Sequence, residues 1–270
     1  MAVFVRTLQG PWAGARRGCA AGLGPVVARG PRVSRLALER VLQSQGFGTR
    51  RQCRQLVLSG QVRVAGVEVD DPGLVVDTQG LQFEVLDQAW TYREHVYLAL
   101  NKPAGYECSR RPSHHPGVLG LLPDALRARA VQAVGRLDHD TTGLLLLSDD
   151  GAFIHAQTSP RRKVPKVYLA TTHDRVTPEL VAALLAGVRL HDEPQPLAAV
   201  SCEQQGEHLL GIVLEQGKYH QVKRMLAAAG NHCVALRRVA IGGLRLDALN
   251  LPEGSWCYLG ESELALLAGA

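Results

Sequence analysis

The stretch of this 270-residue chain best suited to chemistry is Gly135-Arg136-Leu137-Asp138-His139-Asp140-Thr141-Thr142-Gly143, followed by four leucines at 144–147 and then Ser148-Asp149-Asp150-Gly151. A polar loop rich in Gly and Thr leads into an apolar, strand-like run that ends in a turn. A carboxylate on a loop held by a rigid strand is well placed to act as a nucleophile or a base. Asp138 stands beside Arg136 and a set of hydroxyls, neighbours that favour its charged form. A plainer reading competes, in which Asp138 or Asp140 only builds an Asx-type turn. A second cluster lies at 215–225. There Val222, Met225, Leu226 and Ala229 form one apolar helical stripe. At about 100° per residue, Lys223 falls at the stripe's edge, able to reach a site at the core boundary, and Arg224 falls nearly opposite, toward solvent or phosphate.

The elements that must position these residues follow from periodicity. Residues 96–100, 144–147, 167–171 and 209–214 read as strands. Thr177-Pro178-Glu179 opens a helix that runs to Gly187, and another helix starts near His220 and stops at Gly230. Strands and helices mix without βαβ alternation, which predicts an α+β fold with a largely antiparallel or mixed sheet. Upstream, Ser34 is placed to cap a helix carrying Leu36, Leu38, Val41 and Leu42. Thr49 and Gln52 form a capping box for a second helix through Leu58, closed by Gly60, and alternating residues 62–69 form a hairpin. Residues 34–86 are therefore expected to be a helix–helix–hairpin module. Residues 87–94 read as a polar linker, and 93–270 as a second domain. On the second helix Arg50, Arg51 and Arg54 form a basic strip suited to phosphate contacts.

Charge is unevenly placed. Residues 1–70 hold eleven of the 30 Lys/Arg and three of the 25 Asp/Glu, so the front end carries +8 and the remainder −3. A basic front end on a near-neutral body points to a polyanion partner. Residues 1–33 contain no acid and several arginines. They are expected to be a disordered basic extension, or to follow from a start codon assigned too far upstream, ahead of an organelle transit peptide. No apolar run approaches a membrane span. The six cysteines are scattered without a Cys-x-x-Cys pair, which argues against a metal site and fits a reducing cytoplasm.

The Gly-Arg-Leu-Asp loop, the Thr-x-Gly that follows and the leucine strand ending in Asp-Asp-Gly resemble the signature of RNA pseudouridine synthases. The likeness is to the ribosomal-RNA branch with an N-terminal S4-type RNA-binding domain, which the 34–86 module resembles. Asn101-Lys102-Pro103-Ala104-Gly105-Tyr106, Lys166-Val167-Tyr168 and the segment from Glu215 to Met225 match further family motifs in order. The resemblance implies isomerisation of a uridine without any cofactor. It makes Asp138 the catalytic carboxylate, has Tyr168 stack on the base, and pairs Lys223 with the carboxylate. Expected RNA contacts are Arg50, Arg51, Arg54, Arg136, His220 and Arg224. Cys108-Ser109, Thr158-Ser159-Pro160 and Lys218-Tyr219-His220-Gln221 look more like the small-subunit (16S) branch than the large-subunit (23S) one. The implied partner is ribosomal RNA or the assembling small subunit, met by a monomer with no membrane association. Ala37-Leu38 departs from the usual charged pair of the RNA module. Two rivals remain: a non-catalytic S4-type RNA-binding or ribosome-assembly protein, and a metal-dependent nuclease using Asp138, Asp140, Asp149 and Asp150.

Overall fold

A computed structural model describes residues 35–267. The expectations for residues 1–33 and for a Ser34 cap lie outside the described residues.

The chain opens with β1 (Arg35–Ala37), α1 (Leu38–Ser44), α2 (Arg50–Leu58), β2 (Val62–Val64), β3 (Val67–Glu68), β4 (Val75–Asp77), β5 (Gln82–Val85) and β6 (Gln88–Thr91). Helix α1 starts later than its periodicity suggested, because Arg35–Ala37 pair with β4. The amide N–H groups of Leu38 and Glu39 donate to the carbonyls of Leu74 and Pro72, so backbone from the β4 side satisfies the helix start in place of a side chain. The Thr49–Gln52 capping box forms as the sequence indicates. Ala65 and Gly66 both take positive φ in the two-residue turn joining β2 to β3, the geometry such a hairpin needs. Residues 87–94 are mostly not a linker. After Leu86 and Asp87, both at positive φ, the chain reverses into β6, which completes a sheet of order β3-β2-β5-β6. The module's core is Leu38, Val41, Leu42, Cys53, Val57 and Phe83, with Phe47 set edge-on to Phe83 and Trp90.

The second part comprises β7 (Tyr97–Lys102), α3 (Asp124–Ala128), β8 (Gln132–Val134), β9 (Thr142–Ser148), α4 (Gly151–Thr158), β10 (Lys166–Thr172), α5 (Pro178–Ala186), β11 (Ser201–Gly206), β12 (Leu209–Leu214), α6 (Gln221–Ala228), β13 (Cys233–Ile241), β14 (Leu244–Arg245), β15 (Trp256–Tyr258) and α7 (Glu261–Leu267). Its sheet runs β11-β12-β10-β13-β9-β7-β15, with β14 on β13 and β8 on β9. Side chains alternate along β9: Leu145 and Leu147 join one core, Leu144 and Leu146 the other. This is the expected α+β class with a mixed sheet.

The sheet consists of two antiparallel halves joined weakly. Strands β13 and β9 run parallel and pair only at Arg237 with Thr142 and Arg238 with Gly143. Beyond that point β8 takes over the edge of β9 at residues 146–148. The halves therefore fork. Gly143 sits at the fork with φ +101°, and a Cβ there would stand 2.2 Å from the Arg238 carbonyl oxygen. Only glycine permits both that conformation and that approach.

The two parts are docked through Arg129. Its guanidinium donates to the Asp149 carboxylate, to the Gln45 side-chain oxygen and to the carbonyls of Arg93 and Glu94. Gly46 lies so close to α3 that a Cβ would meet the Ala125 carbonyl oxygen at 2.0 Å.

Candidate active site

A cleft of about 1180 Å³ opens at the fork, lined from both halves by residues that include Val134, Leu137, Asp138, Lys166, Tyr168 and Arg238. Asp138 stands on the loop joining β8 to β9. The loop's turn is closed by backbone, the Thr141 N–H donating to the Asp138 carbonyl at 3.1 Å. The Asp138 side chain is free of that task. Its carboxylate faces the Lys223 ammonium, Nζ at 3.2 Å, and the His220 imidazole, Nε2 at 3.2 Å. Arg136, the sequence neighbour expected to hold the charge, is an exposed lining residue. The counter-charge comes instead from Lys223 on α6.

Helix α6 explains that reach. Its stripe of Val222, Met225 and Leu226 is buried, so Lys223 emerges at the stripe's margin, as helical geometry requires. His220, the N-cap residue, takes a left-handed conformation at φ +45° and is stacked by Tyr219 at 3.9 Å. Lys223 also holds Asp140, at 2.6 and 2.9 Å. Burial works against the Lys223 charge, yet its bonds to Asp140 and the nearby Asp138 carboxylate outweigh it, and the ammonium's pKa ends above the ordinary lysine value. For Asp140 burial likewise opposes the charge, and Lys223 overrides it to leave the carboxyl below its usual range. One lysine thus bridges two loop carboxylates.

Tyr168 lies on β10, 9 % exposed, on the cleft wall. A β-bulge beside it shifts the register against β13, so Tyr168 pairs with Arg238. Arg224 is partly exposed. It is tied to Asp192 and donates to the Tyr219 carbonyl. On α2, Arg50 and Arg54 flank the buried carboxylate of Glu39, Arg50 at 2.5 Å and Arg54 at 3.8 Å, while Arg51 is exposed. The four acids of the nuclease alternative do not converge. Asp149 receives Arg129 and the Val96 N–H, and Asp150 caps α4 and accepts the Tyr97 hydroxyl, both beyond the far end of β9.

Two residues of the cleft region carried no role in the sequence. Lys102, at the end of β7, is 0 % exposed. Its ammonium donates to the carbonyls of Pro103, His139 and Thr141 at 3.0, 3.0 and 2.8 Å, and so anchors the loop around Asp138. Burial lowers its pKa, against the upward pull of Cys108, Asp140 and Asp138. A lysine closing a strongly apolar strand was the available signal. Arg238 is 3 % exposed, and its Nε donates to the Leu144 carbonyl at 2.8 Å. Nothing distinguished it in sequence from its neighbour Arg237.

Residues 96–228 match the RNA pseudouridylate synthase family and residues 38–80 match the S4 domain. With a carboxylate-bearing loop over the fork of a split mixed sheet, the chain belongs to the RNA pseudouridine synthase family and carries the S4 RNA-binding domain at its N-terminal side. It is 34 % identical to the uncharacterized RNA pseudouridine synthase YtzG of Bacillus subtilis, over 86 % of this chain and 98 % of that one. It is 36 % identical to the ribosomal small subunit pseudouridine synthase A of Haemophilus influenzae, over 81 % and 94 %, and 43 % identical to the Escherichia coli (strain K12) protein of that name, over 63 % and 72 %. A crystal structure of a pseudouridylate synthase superposes with a TM-score of 0.61 at 34 % identity, over 86 % of this chain and 99 % of that chain. Among the described residues no helix is long and apolar enough to cross a membrane.

Proposed function

We propose that this RNA pseudouridine synthase isomerises a specific uridine of small-subunit (16S) ribosomal RNA, using Asp138 as its catalytic carboxylate and no cofactor. The observation that carries the reading is the Asp138 side chain, turned from its own loop toward Lys223 and His220 at a cleft walled by Tyr168. The relatives named as small-subunit enzymes support the choice of RNA. In the same reading the chain works in the cytoplasm as a monomer, on RNA or on the assembling particle.

The uridine leaves its stack at a cost of a few kcal/mol. Stacking on Tyr168 returns about 1–3 kcal/mol of that. Asp138 either bonds to ribose C1′ as the C1′–N1 bond breaks, or removes the 2′ proton to the same end. The base turns and C5 bonds to C1′, as the C1′ bond to Asp138 breaks in the first route or as Asp138 returns the proton to C2′ in the second; C5 then loses its proton while N1 gains one, so the net change is isomerisation. Lys223 holds the carboxylate in place. Arg51 and the exposed faces of Arg50 and Arg54, with Arg136, meet RNA phosphates.

The test is Asp138→Asn on small-subunit RNA, with pseudouridine mapped by sequencing. RNA is expected to bind the variant and emerge unmodified. A normal conversion rate in the variant would refute the assignment, and a wild type that modifies only large-subunit RNA would refute the choice of substrate.

A further inference from the structure

The cleft narrows to a floor that the reaction as described leaves unused. Of the lining residues, the Asp138 side chain is partly exposed, whereas Tyr168 and Arg238 are buried, Arg238 to 3 % exposure. At the bottom, Arg238 Nη2 is buried and has no hydrogen-bond partner. Its Nε is fixed to the Leu144 carbonyl, so the guanidinium is held in place with one donor unsatisfied. A buried donor without an acceptor is costly and rare, and marks a place where a ligand atom completes the site.

Lys166 adds a second cation. It lies two residues before Tyr168 on β10, on the same strand face, and it lines the same cleft. Burial, then repulsion from Arg238, push its ammonium down to about 8, with Glu215 pulling the other way. Two cations and one carboxylate leave the floor one negative charge short. Gln157 Oε1, an unpartnered acceptor, lines the same cleft, but the unpartnered group beside the two cations is the Arg238 Nη2 donor, so its complement is an acceptor that is anionic or becomes so.

We propose that Arg238, assisted by Lys166, holds a carbonyl oxygen of the target uracil and stabilises the negative charge that the base acquires when its glycosidic bond breaks. The inference rests on the proposed isomerisation. As the C1′–N1 bond breaks, its electron pair passes to the base and spreads onto the carbonyl oxygens. The pair returns to C1′ through C5. A fixed guanidinium in a water-poor floor is worth most at the moment that charge exists. Depth separates this from phosphate binding: the RNA backbone stays at the mouth beside Arg136, and only the extruded base reaches the fork.

The experiment compares wild type, Arg238→Met and Lys166→Met in single-turnover reactions on RNA carrying either uridine or 5-fluorouridine at the target. The fluorinated base is the better leaving anion and needs the floor less. Arg238→Met is expected to slow uridine consumption by about 10²–10³-fold, to slow 5-fluorouridine consumption by a clearly smaller factor, and to leave RNA affinity unchanged. Equal slowing of both substrates would show a merely structural role and overturn the proposal. Weakened binding at an unchanged rate would point to phosphate recognition and overturn it too. If circular dichroism shows Arg238→Met unfolded, Lys166→Met decides by the same comparison, because the structure shows no side-chain hydrogen bond for Lys166 to lose. A wild type inert on uridine would defeat the underlying function instead.

Discussion

Replacing Lys102 by methionine tests whether the loop around Asp138 is held from beneath. The lysine is 0 % exposed and its three bonds run to main-chain carbonyls, two of them at His139 and Thr141, on either side of Asp140. Methionine matches its length and apolar stem without its donors. The Pro103 carbonyl, beside the exposed Ala104, is free to find water, and the His139 carbonyl keeps the Gly105 N–H at 2.8 Å, whereas the Thr141 carbonyl is left unpaired at about 1–3 kcal/mol. Removing a buried charge recovers part of that, so a net loss of about 1–2 kcal/mol is expected. For a chain of this size the melting temperature should fall by roughly 2–8 °C. The rate should fall further than stability alone explains, because a shift of about 1 Å in a reacting group costs on the order of 10²-fold. The assay is single-turnover tritium release from RNA labelled at uridine C5, run well below the variant's melting temperature, beside a thermal melt. A Lys102→Met protein that melts and turns over like wild type would show that Thr141 and His139 need no such anchor, and the account of the loop would be wrong.

Gly143→Ala puts a Cβ 2.2 Å from the Arg238 carbonyl at φ +101° and is expected to cost several kcal/mol; a urea midpoint equal to wild type would contradict the fork geometry. Arg51→Ala should weaken RNA binding and reduce the salt slope by about one without altering stability, whereas Arg50→Ala should also lower the melting temperature, since it strips the buried Glu39 of its nearer partner; filter binding across a salt series and thermal melts separate the two. The Asp140 carboxyl is depressed by Lys223 in the folded state, so its stabilisation is present above its unfolded pKa and is lost as pH falls through the lower folded value. Lys223 is raised, so its share holds below its unfolded pKa and fades as pH rises through the higher folded value. Urea midpoints against pH should therefore show an acid limb that is shallower in Asp140→Asn than in wild type, and an unchanged limb would remove Asp140 from the pair.

Much of the architecture was legible because it rests on local periodicity. The leucines of β9, the capping box of α2 and the Pro-started helix α5 each announce themselves within a few residues. The meeting of Lys223 with the Asp138 loop was implied by the family resemblance, and helix geometry agreed with it by turning Lys223 toward the core boundary. Less visible were elements whose definition comes from a distant partner. Strand β1 exists because Val75–Asp77 lie alongside it, and β6 because β5 turns back on a polar, linker-like stretch. Strand β13 has the exposed Val234 as its second residue and carries two arginines, so its pattern does not alternate cleanly.

The residues that escaped notice in the cleft share one cause. Lys102 and Arg238 are buried cations whose fixed partners are backbone carbonyls, at His139, Thr141 and Leu144. A carbonyl belongs to every residue, so it leaves no mark in a sequence, whereas an Asp–Lys pair leaves two. The fork in the sheet follows the same logic. Gly143 is conspicuous as a glycine inside an apolar strand, but the carbonyl that demands it belongs to Arg238, 95 residues on. That carbonyl both forbids a side chain at 143 and sets the guanidinium of the same residue at the bottom of the cleft. One close contact between β9 and β13 therefore opens the space for a nucleotide and supplies the charge beneath it. Substitution at Gly143 should disturb folding and catalysis together, while substitution at Asp138, on the loop above, should separate them.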